Sequence, residues 1–193
     1  MNELLQKYNE YRSIVNYRFI YYLSDGSIIE YKLKQKDFPH LIGLHKLIDI
    51  PIIRKFNDKN NLKISSKYLI SKIKSQSYLT DNDIKQSIYF PNIEKRYQLF
   101  TRDNLLTISY TDIVVDFDAS LIGSTLCADY ILFEYNNIEY NYLCIAKDRN
   151  KNRYIESFFV NPSDLYIRGQ KTVKVRRVEI YDSNGKLYLE DNF

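Results

Sequence analysis

The sequence predicts an α+β fold, an N-terminal hairpin and helices packed on a C-terminal antiparallel β-sheet. Three observations predict it: aromatic and β-branched alternation on either side of Asp25-Gly26, helical periodicity through the middle of the chain, and a switch to strand patterning from residue 112 onward. A doubly wound sheet would alternate strands and helices throughout, and this order does not. The 193 residues suit one domain with its own core, so a single domain over 1–193 is expected.

Residues 2–14 place Leu4, Leu5 and Tyr8, then Tyr11 and Ile14, at helical spacing. Residues 17–23 and 27–33 alternate around Asp25-Gly26 and read as a hairpin. The hairpin leads into Phe38-Pro39-His40-Leu41-Ile42-Gly43-Leu44-His45-Lys46-Leu47, which holds both histidines of the chain. Pro39 suits a first helical position, where its missing N–H costs nothing. Read as one helix at about 100° per residue, the stretch lines up Leu41, Leu44, Leu47 and Ile48 and sets His40 and His45 roughly 140° apart. The two imidazoles are then expected to border a buried face without stacking, with Gly43 on the opposite side, open to close approach by another group.

Beyond it, Ile48 to Ile53 is interrupted by Pro51, and the polar run from Asn57 to Asn61 reads as a surface loop. Helices are expected at about 65–76, 81–88 with Asp81 as cap, and 92–105. Strands follow at Asp112 to Phe117, Tyr130 to Asn136, Glu139 to Lys147, Arg153 to Val160 and Thr172 to Tyr181. Turns at Asn136-Asn137 and Asp148 to Asn152 make a meander, and Ser183-Asn184-Gly185 closes a last hairpin at the sheet edge.

Composition narrows the function classes. Five glycines and no Walker lysine motif leave no glycine-rich phosphate loop, and neither a GxSxG elbow nor an HExxH helix is present. Cys127 and Cys144 both sit in apolar segments and read as reduced core residues. With two histidines and two cysteines there is no zinc pattern, and Asp112, Asp116 and Asp118 read as strand-end and turn residues, so no metal or cofactor is expected. Nineteen tyrosines and ten phenylalanines suit a strand-rich core and also offer rings on which bases stack. The net charge of +4 is modest, but basic clusters occur at Lys32 to Lys36, Lys147 to Arg153 and Lys171 to Arg177. The charged start and the lack of any apolar run of about 18 residues predict a cytoplasmic protein without membrane association.

Polar residues set among apolar ones are the candidates for chemistry. Lys147 closes the strand YNYLCIAK, and Ser157 sits in YIESFF. Plain alternation there puts Tyr154, Glu156 and Phe158 on one face and Ile155, Ser157 and Phe159 on the other. Metal-free RNA cleavage by 2′-OH attack needs a base, an acid and a cation or donor for the phosphorane, which histidine, lysine and a hydroxyl supply.

The combination of YYLSDGSIIEYKLKQKDFPHLIGLHKL, IVVDFDASLIGSTLCADYILFEY and RYIESFF resembles the phage- and mobile-element-associated nucleases of the barnase, EndoU, colicin and RelE fold class. The resemblance covers roughly residues 15–170, leaving the N-terminal helix and the C-terminal hairpin as decorations. It implies an endoribonuclease acting as a toxin or phage-conflict effector, with RNA, including tRNA, as substrate and an antitoxin or immunity protein as partner. Carried over by motif, the catalytic set is His40, His45, Lys147 and Ser157, the last standing where the family commonly has threonine. Lys46 and Tyr154 are the expected substrate-binding residues. The alternative is a non-enzymatic RNA- or protein-binding module, or a phage accessory protein, on the same scaffold.

Overall fold

The computed structural model describes residues 2–57, 64–106 and 110–193. The chain forms two compact units, a helical one from Met1–Ile14 and Lys34–Leu106 and a sheet one from Val15–Leu33 and Thr107–Phe193. No helix among the described residues is long and apolar enough to cross a membrane.

In the helical unit, α1 (Glu3–Ser13) begins at Asn2, whose side chain accepts from the Leu5 N–H and so satisfies one of the free donors of the first turn. It buries Leu4, Tyr8 and Tyr11. Phe38, at the start of α2 (Phe38–Leu41), packs its ring against Tyr8, Tyr11 and Phe100 at centroid distances of 5.3, 5.5 and 5.7 Å. The expected helix through Lys46 does not form. Gly43 adopts φ +93° and ends it, and a 3-10 turn, Leu44–Lys46, follows.

Pro51 opens α3 (Pro51–Asn57) instead of interrupting a segment, in keeping with its fitness for a first turn. Of the expected loop, Asn57 ends this helix and the remainder lies outside the described residues. Ser65 caps α4 (Ser66–Lys74), and Thr80 caps α5 (Asp81–Lys85) through a capping box with Asp83. The single helix expected at 92–105 is two, α6 (Glu94–Leu99) and α7 (Arg102–Leu106), because Phe100 leaves helical geometry at ψ 81°. Its ring is buried against Tyr11 and Phe38.

The sheet unit contains β1 (Arg18–Leu23), β2 (Ile28–Lys32), β3 (Asp112–Val115), β4 (Tyr130–Tyr135), β5 (Tyr140–Lys147), β6 (Arg153–Asn161), β7 (Thr172–Tyr181) and β8 (Leu187–Asn192). The order is β2-β1-β7-β3-β4-β5-β6, with β8 paired to β7. The N-terminal hairpin is therefore part of the sheet, joined by antiparallel pairing of Arg18 with Tyr181 through Leu23 with Val175. At the ends of this order β2 and β6 come against each other, so the sheet curls.

Pairing register assigns Ile113, Leu132, Leu143, Ile145 and Phe158 to one face, all of them buried. Val114, Ile131, Tyr142 and Cys144 occupy the other, under Phe117, Leu126, Tyr166 and Ile167. Cys144 is the core residue expected, whereas Cys127 is exposed. Asp116, at φ +54°, turns the chain out of β3 earlier than alternation predicts.

A β-bulge interrupts the pairing of β5 with β6. Cys144 faces Ser157 while Ile145 faces Ile155, which leaves Glu156 as the extra residue. Ile155 thus joins Phe158 on one face, and Tyr154 shares the other with Ser157 and Phe159. Strict alternation had separated Ile155 from Phe158 and Tyr154 from Ser157. One inserted residue reverses both assignments.

Candidate functional site

His40 and His45 are brought together by the turn at Gly43. Their rings are 4.0 Å apart, centroid to centroid, and 12° from parallel. The expectation that they would not stack rested on an unbroken helix, and the left-handed residue between them cancels the 140° offset. A Cβ on Gly43 would meet Ile93 Cγ2 at 2.9 Å and Arg96 Cδ at 3.1 Å, so the backbone does approach a neighbour closely there. Asn57 donates its amide to the His45 carbonyl and ties the 3-10 turn to the end of α3.

His45 Nδ1 is buried with no hydrogen-bond partner among the described residues. Burial, helped by the nearby charges of His40, Arg96 and Lys46, pushes the His45 pKa down to about 3. A backbone hydrogen bond at His40 works the other way without offsetting them. At neutral pH the ring is held uncharged. Lys46, exposed at the end of the turn, adds to the local positive field.

In the sheet unit a second polar group gathers where β4 begins, β5 ends and β6 begins. Lys147 and Arg153 are register partners across the β5–β6 pair. Both lie over the ring of Tyr130, Lys147 Nζ at 5.0 Å and Arg153 Cζ at 5.4 Å from its centroid. Asp129 anchors this end, accepting from the Lys147 backbone N–H at 2.7 Å and lying 3.4 Å from Lys147 Nζ. Burial opposes the Lys147 charge, but Tyr130 and Asp129 outweigh it and hold the pKa above its ordinary value. Arg153 Nε is buried and has no hydrogen-bond partner among the described residues.

Glu156, the bulge residue, is half-buried and hydrogen-bonded to Tyr154. Burial raises its pKa, and the Tyr154 hydrogen bond only partly offsets this. Burial and the Glu156 charge in turn raise the Tyr154 phenol. Ser157 faces Cys144 on the covered side of the sheet and is half-buried. Among the described residues no three His, Cys, Asp or Glu side chains converge into a set that could hold a metal ion.

The sequence pattern of one family, phage-Barnase-EndoU-ColicinE5/D-RelE like nuclease4, matches residues 3–187. The chain belongs to this family. Comparison with curated proteins and with solved structures finds no match. Membership in this nuclease family makes nucleic acid the substrate class. The nuclease pattern also takes in α1 and the start of β8.

Of the residues the sequence nominates in this nuclease, His40, His45 and Lys46 lie in the helical unit, and Lys147, Tyr154 and Ser157 in the sheet unit. His40 is brought to His45, Lys147 to Tyr130 and Arg153, and Tyr154 to Glu156. Sequence reasoning gave no site role to Tyr130, Asp129 or Glu156, and saw Arg153 as the end of a charge run and the start of a strand. The signal for the cluster was two basic residues closing and opening strands across a short turn, which pairing must bring side by side. Nothing in the pattern YIESFF marks Glu156 as a bulge.

Proposed function

We propose that the protein is an endoribonuclease that cleaves RNA by attack of the 2′-OH on the adjacent phosphorus. The observation that carries this reading is the Lys147–Tyr130–Arg153 cluster: two cations on one aromatic ring, one of them with a buried donor unpaired among the described residues. Such a cluster suits a phosphate beside a stacked base. Lys147 and Arg153 hold the phosphate and stabilise the charge of the phosphorane.

Glu156 takes the 2′-OH proton as the 2′-O–P bond forms, and its raised pKa makes it a stronger base than an exposed carboxylate. As the P–O5′ bond breaks, Glu156 returns that proton to the leaving oxygen, while Tyr154, on the face opposite Lys147 and Arg153, steadies the Glu156 carboxylate. The products are a 2′,3′-cyclic phosphate and a 5′-hydroxyl, and no metal or cofactor takes part. Ser157 is assigned a supporting role, holding the strand on which this pair sits. His45 is too weak a base for proton transfer near neutrality. His40 is the second candidate for the proton carrier, favoured by its half-exposed ring on the stack. We extend the reading to a growth-arresting effector with a neutralising protein partner.

The test is degradation of total RNA and tRNA by purified protein in EDTA. Wild type should release 2′,3′-cyclic phosphate ends, and Lys147→Met or Glu156→Gln should lose that activity. His40→Ala inactive beside an active Glu156→Gln moves the proton transfer to His40. RNA left intact by wild type, or cleavage unaffected in all three variants, rejects the reading and leaves a binding module. Expressed alone, the wild-type protein should arrest growth and the inactive variants should not.

A further inference from the structure

The helical unit carries a basic surface that neither the imidazole stack nor the sheet cluster uses. Between Asp49 and Asp81 the sequence has seven basic residues and one acid. The helix α4 turns Leu69, Ile70 and Ile73 inward. That leaves Lys67, Lys72 and Lys74 to the two grooves that run along its sides. One groove, about 550 Å³, is lined by Pro51, Ile52, Lys55, Tyr68, Lys72 and Tyr78. The other, about 420 Å³, is lined by Gln35, Lys36, Lys67, Ser71 and Lys74. Among the described residues none of these five lysines forms an ion pair.

The rings in the first groove are presented outward. Tyr68 is 46% exposed and Tyr78 77%. Lys72 Nζ lies 5.0 Å from one ring centroid and 5.1 Å from the other, which fixes both against a common cation. Tyr78 also sits at φ +69°, a conformation that a bulky residue rarely adopts. Folding alone gives no reason to hold a large aromatic side chain in water on a strained backbone. Rings for bases and unpaired lysines for phosphates are the two parts of a single-strand platform.

We propose that the grooves beside α4 bind a single-stranded polynucleotide, with bases stacked on Tyr78 and Tyr68 and phosphates met by Lys55, Lys72, Lys67 and Lys74. The nuclease reading supplies RNA as the natural strand, but the surface is argued from its own rings and charges. An acidic protein segment matches the lysines and leaves the exposed rings unexplained.

The experiment is fluorescence anisotropy of the full chain with a labelled 2′-O-methyl-uridine 20-mer, which 2′-OH attack cannot cleave. Binding should fall steeply with added KCl, and the slope should drop by about 0.7 for each phosphate-contacting lysine replaced. Tyr78→Asn removes the ring yet tolerates a positive φ, and should weaken binding by about ten-fold, with Tyr78→Phe restoring it. Lys67→Glu with Lys74→Glu should weaken it further while circular dichroism stays native. Wild-type affinity in both variants overturns the proposal. So does labelled poly-glutamate binding as tightly as the RNA, which would mark an acidic protein as the occupant. Because the strand is uncleavable, a protein that binds it but cuts no RNA sinks the nuclease reading alone.

Discussion

The imidazoles of His40 and His45 lie face to face at 4.0 Å because Gly43 between them takes a left-handed turn. Two like-charged rings at that distance cannot both carry protons cheaply, and burial decides against His45. His45 is thus held uncharged in the stack at neutral pH.

Acid should undo it. An unfolded histidine binds a proton below about pH 6.5, whereas folded His45 does so only near pH 3, so the unfolded state holds more protons in between. Stability is full above pH 6.5 and falls as the pH drops towards 3, by about 2 kcal/mol at pH 5 from this group. Urea unfolding at pH 7 and pH 5 reads the difference, and His45→Phe should shrink it. An equal loss in that variant would refute the assignment to His45.

Gly43→Ala should destabilise by about 1–3 kcal/mol, since the new Cβ meets Ile93 and the backbone disfavours a side chain at φ +93°. Thermal unfolding measures the loss. The imidazole resonances of His40 and His45 should shift together, as a stack that opens must.

The hairpin at Asp25-Gly26 was legible because it depends on a few adjacent residues, whereas the cap expected at Asp81 belongs to Thr80, one residue earlier, and the helix ends at Lys85 rather than near 88. The bulge at Glu156 was not legible, since RYIESFF alternates as well with it as without it. Nor could the pattern reveal that β1 pairs with β7, a register linking residues more than 150 positions apart in the chain. For the candidate site this meant that Lys147 and Tyr154 were nominated and Glu156, which lies beside Tyr154, was not. The histidine pair was nominated with the wrong mutual geometry, because Gly43 was read as a small face and not as a break.

Glu156→Gln should lower RNA cleavage by about 10²–10⁴-fold and remove the acid limb of the pH–rate profile, because an amide cannot titrate. Its fold should persist, as the Tyr154 hydrogen bond has an amide oxygen to accept it. Single-turnover cleavage between pH 4 and 8 checks both points. A profile unchanged in shape would exclude Glu156 as the base.

Removing either cation from the Tyr130 ring should act on the transition state more than on the fold. Lys147→Met and Arg153→Gln are each expected to cost about 10²–10³-fold in kcat with little change in melting temperature. Tyr130→Leu should instead raise KM, as loss of a stacking surface does. Steady-state kinetics on a short oligoribonucleotide separate the two patterns.

The pairing of β7 has a consequence for when the protein can exist. Its residues from Val175 to Tyr181 pair with β1, those from Thr172 to Lys174 with β3, and β8 takes Arg177 to Tyr181 as well. On a ribosome β1 emerges more than 150 residues before the segment of β7 that it pairs with. The sheet stays open until β7 has been made. For a chain whose family cuts nucleic acid, a sheet that cannot close before β7 emerges keeps the earlier strands unassembled while they are still beside the ribosome and its message.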